Sequence, residues 1–181
     1  NKTALLYSTI GNNGKGTLCE LWRHLAGPSS CEAIQFKEFR DRFTKEKLLT
    51  CTTIITDEND VGVPIDRFGD VKSLITHDKI SIDRKFEKPI TYRFHGFMVQ
   101  CINEFPIISD KTNSMYRRLL FVPMDKSFEG IERKYIKDDY LKRQEVLEYV
   151  MKKVLESNFY ELSEPAKSQS VKASYKEFND N

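Results

Sequence analysis

The chain reads as an α/β fold: a central parallel sheet of five strands with flanking helices, a β-hairpin insertion and helices at the C-terminal end. Three observations predict it. A glycine-rich stretch, Thr9-Ile-Gly-Asn-Asn-Gly-Lys-Gly-Thr17, joins an apolar run, Ala4 to Tyr7, to an amphipathic one, Leu18 to Leu25. Cys51-Thr-Thr-Ile-Ile-Thr56 is a β-branched run of the kind buried in parallel sheets. Phe97 to Ile102 and Leu119 to Pro123 are further apolar runs of strand length.

Taken in order, residues 3–8 form the first strand and residues 15–26 a helix that Gly27-Pro28 stops. Between Glu32 and Leu49, the spacing of Ile34, Phe36, Phe39 and Phe43 predicts a short strand and then a helix. After the 51–56 strand, Gly62-Val-Pro64 is a linker, and Ile65 to Thr76 has a helical pattern with Phe68, Val71, Leu74 and Ile75 on its apolar face. Residues 79–93 alternate at both ends, Ile80/Ile82 against Ile90/Tyr92, as a hairpin or extended loop does. A strand at 97–102, a polar loop from Ser109 to Ser114 and a fifth strand at 119–123 follow. From Ile131 the chain turns helical. Val146, Leu147, Val150, Met151, Val154 and Leu155 recur at spacings of three and four, Pro165 interrupts, and Ser168 to Phe178 forms a last helix.

Composition narrows the function classes. The chain has 181 residues, enough for one domain with a real core, and its net charge of +2 excludes a general polycation. No apolar run approaches the roughly 18 residues of a membrane span. The four cysteines lack a Cys-x-x-Cys pair, so free thiols in a reducing, cytoplasmic setting are expected rather than a disulfide or zinc framework. Since the chain starts at Asn1, two residues before a core strand, it is expected to be part of a longer protein.

The chemistry concentrates at strand ends. A strand, a glycine-rich loop and a helix in succession form a phosphate-binding arrangement: backbone N–H groups turn toward an anion and the helix dipole favours it. Gly11, Asn12, Asn13, Gly14, Lys15, Gly16 and Thr17 are the candidate ATP-binding residues, with Lys15 reaching the outer phosphates. Two positions depart from the usual motif. Thr9 stands five residues before Gly14, where a glycine is usual, and Gly16 follows the lysine, where a hydroxyl is usual. The cradle is then completed by Thr17 or by the backbone at Gly16. The 51–56 strand ends in Asp57-Glu58. Beside a phosphate loop, such a pair holds Mg²⁺ (Asp57, with Thr17 a second candidate ligand) and polarises the attacking water (Glu58).

Asn103, at the end of the 97–102 strand, is placed to sense the γ-phosphate or orient water, since its amide both donates and accepts. Arg117-Arg118 are either surface charge or, in an oligomer, arginines reaching a neighbour's site. The 79–93 segment holds Lys79, Arg84, Lys85, Lys88 and Arg93 against Asp83 and Glu87, a net of +3. It is either a solvated hairpin with edge lysines or a nucleic-acid contact, with Phe86 available to stack on a base.

Gly-Asn-Asn-Gly-Lys-Gly-Thr17, Ile-Ile-Thr-Asp-Glu58, Ile102-Asn-Glu-Phe-Pro106 and Tyr-Arg-Arg118 before a strand together resemble the superfamily 3 helicases, above all the phage- and plasmid-type primase-helicases. The resemblance covers residues 3 to 128. It implies an AAA+-like ATPase core over residues 1–128, with residues 129–181 leading to a further domain, assembled as a hexameric ring. By that resemblance Lys15 binds phosphate, Asp57 and Glu58 serve Mg²⁺ and water, Asn103 is the sensor, and Arg117 or Arg118 is the finger. It also favours the DNA-contact reading of Lys79, Arg84, Lys85 and Lys88. The implied partners are single-stranded and replication-fork DNA, identical subunits and other replication proteins. The implied setting is the cytoplasm of a bacterial host or infected cell, with no membrane. Two rivals stay open: a nucleotide-kinase-like phosphotransferase and a non-catalytic ATP-binding loader or scaffold.

Overall fold

A computed structural model describes residues 2–59, 68–107, 117–158 and 169–180; the expected 62–64 linker, the 109–114 loop and Pro165 lie outside them. Five strands form one sheet: β1 (Thr3–Tyr7), β2 (Cys31–Glu32), β3 (Thr53–Thr56), β6 (Phe97–Ile102) and β7 (Leu119–Pro123). Their order is β2-β3-β6-β1-β7 and every pairing is parallel, so all five strand ends that follow the apolar runs lie along one edge. A separate antiparallel pair, β4 (Lys79–Ile82) and β5 (Ile90–Arg93), is the expected hairpin, with Ile80 opposite Tyr92 and Ile82 opposite Ile90.

Both sheet faces are covered, which is why the strands read as unbroken apolar runs. On one face, Ala4, Leu6, Ile55, Val99 and Cys101 pack with Cys19, Leu18 and Trp22 of α1 (Lys15–Ala26). On the other, Leu5, Tyr7, Ile54, Met98 and Ile102 meet α2 (Phe68–Thr76), two 3₁₀ turns, the base of the hairpin and the last helix. Between β6 and β3 the backbones approach closely. A Cβ on Gly96 would stand 2.2 Å from the Thr52 carbonyl oxygen, so only glycine fits there.

Between β2 and β3 the expected strand and helix are shortened. Ile34 takes no ladder partner: its N–H and carbonyl are bonded by the Thr56 hydroxyl (3.2 and 2.8 Å), and the Gln100 amide also donates to that carbonyl (3.1 Å). A capping box between Gln35 and Glu38 then starts a 3₁₀ turn, Phe36–Arg40, and Thr44–Leu49 forms a second. These buried polar contacts end the strand after two residues.

The C-terminal half holds α3 (Lys134–Asp138), α4 (Gln144–Glu156) and α5 (Gln169–Asp180). Helix α5 packs onto the sheet, with Phe178 buried against Phe105 and Phe121. Tyr175 donates to the Leu119 carbonyl at 2.6 Å, and Tyr7 donates to Glu177 at 2.8 Å. Burial, together with that bond and the charge of Glu177, pushes the Tyr7 phenol up to about 12. An unfolded tyrosine titrates near 10. The folded state therefore holds this proton more tightly, and the linked stability is full below about pH 10 and lost as pH rises through about 12. The shift is worth at most about 3 kcal/mol. Denaturant midpoints between pH 9 and 12 should fall less steeply for Tyr7→Phe than for the wild type; superimposable slopes would remove α5's latch from the stability account.

Candidate nucleotide site and basic hairpin

The phosphate-loop candidate sits where β1 ends and α1 begins. Asn12 (φ 50°) and Gly14 (φ 86°) both adopt the left-handed region, which turns the loop back on itself before the helix starts. Asn13 is buried; its amide donates to the Ile10 carbonyl (2.5 Å) and its oxygen accepts from the Lys15 N–H (3.1 Å). As first-turn positions of α1, Gly16 and Thr17 have N–H groups without intrahelical partners, and no acid occupies that turn. Oriented donors and an uncompensated dipole form an anion cradle.

Lys15 crosses from this loop to the neighbouring strand end. Its ammonium donates to the Asn103 side-chain oxygen at 2.6 Å and to the carbonyls of Ser8 (3.2 Å) and Ile102 (3.5 Å). These partners are neutral, so the positive charge is free to meet a phosphate. Burial lowers the lysine's pKa, while the charges of Cys101, Cys19 and Glu58 act in the opposite direction.

Because β6 lies between β3 and β1, the ends carrying Asp57-Glu58, Asn103 and the loop are successive neighbours. Glu58 is exposed. Asp57 is turned along α1, where it accepts from Arg23 at 2.8 Å. Burial lowers the Arg23 pKa, but the hydrogen bond and charge of Asp57 outweigh it and leave the guanidinium above its ordinary value. The Cys19 and Cys101 sulfurs are 3.4 Å apart, and their ligand atoms lie within 4.8 Å of an Asp57 oxygen. Its hydrogen bond to Cys101 and its burial push the Cys19 thiol up. All four cysteines are free. Asp57 and Glu58 offer carboxylate oxygens, the ligand type a hard cation takes, whereas the group that the described residues bring together is Cys19, Asp57 and Cys101.

Three residues outside the expected set shape this site. Arg23 lies eight positions beyond Lys15, so it is carried along the same side of α1 by the helical period. Cys19 is one turn after Lys15. Asn59 follows the two acids directly and holds their loop in place: its amide donates to Gln100 (2.9 Å) and to the Cys101 carbonyl (3.0 Å), while its oxygen accepts from the Phe36 N–H (3.0 Å). The triplet Asp57-Glu58-Asn59 carried that signal in sequence; the Arg23 contact had none.

Arg117 and Arg118 are not gathered with the rest. The Arg118 carbonyl accepts from Thr3 N–H at 2.8 Å, which puts both arginines at the opening end of β1 and β7, one strand length (about 16 Å) from the loop. Arg117 is exposed. Neither backbone position is at the phosphate loop.

At the hairpin, Ile80 and Ile82 anchor the base in the core while residues 85–89 stand exposed. Phe86 is 95% exposed with φ 63°, and the Lys85 ammonium lies 5.2 Å from its ring centroid. Lys85 and Lys88 are exposed at the tip. Arg84 instead folds back, pairing with Glu87 and donating to the Lys88 carbonyl at 3.3 and 3.4 Å. Lys79 is exposed at the far end of the hairpin, opposite Arg93, and is not part of the tip cluster.

Comparison with known proteins places this geometry. The C-terminal region of NrS-1 matches over 94% of this chain and 41% of its own, with TM-score 0.72 and 17% identity. A second structure of that region, residues 305–718, matches over 95% of this chain and 41% of its own, with TM-score 0.70 and 15% identity. JCV helicase, solved with a bound acetamide compound, matches over 84% of this chain and 41% of its own, with TM-score 0.51 and 17% identity. The chain thus spans about two-fifths of the length of these structures. At these identities the likeness is one of fold, and that fold is the one expected from the superfamily 3 resemblance. No curated protein matches the chain. Among family profiles, DUF5906 matches residues 6–118, a stretch running from the end of β1, through the loop, the acids and Asn103, to the paired arginines. The chain belongs to that family, described as a family of unknown function.

Proposed function

We propose that this chain is the ATP-driven motor part of a DNA helicase, of the kind found in phage- or plasmid-type primase-helicases, working on single-stranded DNA within a hexameric ring. The observation that supports this most is the Lys15–Asn103 bond of 2.6 Å, made at strand ends next to the one that carries Asp57-Glu58. It joins a phosphate-binding cation to a polar sensor beside two acids. In this reading residues 11–17 cradle the triphosphate, Glu58 accepts a proton from water, and Asn103 orients that water. Asp57 and Thr17 would hold Mg²⁺, which when bound neutralises charge on the β- and γ-phosphate oxygens. Residues 1–128 make up the motor core, and fork DNA and other replication proteins are its partners in the cytoplasm. Among the described residues no helix is long and apolar enough to cross a membrane.

ATP turnover measured with and without single-stranded DNA, together with mass in solution, tests the reading. Stimulation by DNA and a ring-sized mass are expected. Stimulation by a nucleoside monophosphate would instead make the chain a phosphotransferase. The hairpin makes a separate prediction. Lys85→Ala with Lys88→Ala should weaken single-strand binding at low salt and flatten its dependence on log salt by about 0.7 per lost phosphate contact. Lys79→Ala should do less, since that lysine stands at the other end of the hairpin. An unchanged salt slope in the double variant would take the tip off the DNA path.

A further inference from the structure

We propose that Lys137, far outside the phosphate-loop motif, is a second phosphate-binding cation of the nucleotide site. The inference rests on the ATP-binding reading above and adds a residue to it. A Cβ placed on Gly16 would lie 3.7 Å from the Lys137 ammonium. Gly16 is the position where the loop's usual hydroxyl is missing, so the lysine stands beside the one departure that the sequence shows directly after Lys15. A serine or threonine there would extend its hydroxyl into the space next to the ammonium, whereas glycine leaves that flank of the helix open.

The lysine is brought there by a strap. Leaving β7, the Met124 N–H donates to the Tyr7 carbonyl (2.8 Å) and the Phe128 N–H donates to the Asn12 carbonyl (2.8 Å). The Phe128 ring comes within 3.8 Å of a Cβ built on Gly14. The Ile131 N–H closes back on the Phe128 carbonyl at 3.0 Å, and α3 then presents Lys137. The strap is therefore bonded to the phosphate loop itself.

Electrostatics identifies the missing partner. A cation beside a helix N-terminus is disfavoured by the macrodipole. Lys15 adds a second positive charge, no acid lies in the first turn of α1, and Lys137 has no acid partner among the described residues. Two ammonium groups at the positive end of one helix become favourable when an anion sits between them. In a loop of this kind, backbone N–H groups cradle the α- and β-phosphates while the loop lysine serves the β- and γ-phosphates. The hydroxyl usual at the Gly16 position serves Mg²⁺ next to the β-phosphate, so Lys137 is on the side of the β-phosphate, which ADP and ATP share.

The test is titration of fluorescent ADP and ATP analogues against wild type, Lys137→Ala, Lys137→Arg and Lys134→Ala. Lys137→Ala should weaken both nucleotides by the same factor, about tenfold, as expected for one lost charge-assisted contact. Lys137→Arg should recover most of the affinity, Lys134→Ala should match wild type, and the deficit should shrink with added salt. An exposed side chain should leave thermal unfolding unchanged. If wild type binds and Lys137→Ala binds equally well, or loses ATP alone, the lysine has no such role although the site stands. If wild type binds neither nucleotide, the ATP-site reading falls and the lysine's role with it.

Discussion

Glu58→Gln should leave ATP bound at near wild-type affinity while hydrolysis drops by about 10²–10⁴-fold, the range for losing a positioned general base. The argument is chemical and local. Glutamine keeps the side chain's size and can still hydrogen-bond water, but its amide cannot accept the proton that water must lose. Glu58 is free for this task in a way that Asp57 is not. Asp57 is held by Arg23 at 2.8 Å, whereas Glu58 is near enough to Lys15 to influence its titration. Nucleotide binding measured beside single-turnover hydrolysis separates the two effects. Binding lost along with turnover would assign Glu58 to the nucleotide's grip. Turnover retained would leave the chain an ATP-binding loader, whose assembly needs nucleotide but not its cleavage.

Arg117→Ala is expected to have a comparable or larger effect, a loss of about 10³–10⁵ in turnover, the range for a finger arginine supplied to a developing phosphoryl charge. Its place in the sheet dictates how the loss arises. Both arginines lie where β7 begins, beside Thr3, while the phosphate loop lies where β1 ends, so in the proposed ring the arginine would act on a neighbouring subunit's nucleotide. Arg117, the exposed one of the pair, carries the larger expected effect. Mixing Arg117→Ala subunits with Lys15→Ala subunits should then restore part of the activity that neither preparation has alone, because some interfaces pair an intact lysine with an intact arginine. A single variant within tenfold of wild type, or mixtures as inactive as their components, would remove the shared site.

Much of this was legible in sequence because it depends on short-range rules. Ala4 to Tyr7 and Phe97 to Ile102 announce strands buried on both faces, since they carry no polar alternation. Gly14 reads as the loop's hinge because a left-handed backbone there favours glycine, and its φ of 86° shows that need. Ile80/Ile82 against Ile90/Tyr92 set the hairpin register, since one face had to be apolar to reach the core. The segment after β2 resisted the same treatment. Ile34 and Phe36 carry a strand's pattern, yet the backbone of Ile34 is bonded by Thr56 and Gln100, residues 22 and 66 positions away. Periodicity registers which side chains are apolar; it does not register which distant polar group will claim a backbone N–H.

By itself, the sequence determined the five strands, the phosphate-loop turn, the acids and Asn103 at strand ends, and a hairpin with an exposed cationic tip. Tertiary structure alone decided that Asp57 faces Arg23, that Arg84 braces the hairpin rather than extending from it, that α5 closes over Phe105 and Phe121, and that Lys137 stands against Gly16. The division follows separation along the chain. Strand, turn and helix preferences act over a few residues and leave a local imprint. Ion pairs and close approaches between distant segments depend on how the strands stack in the order β2-β3-β6-β1-β7, which no local pattern encodes.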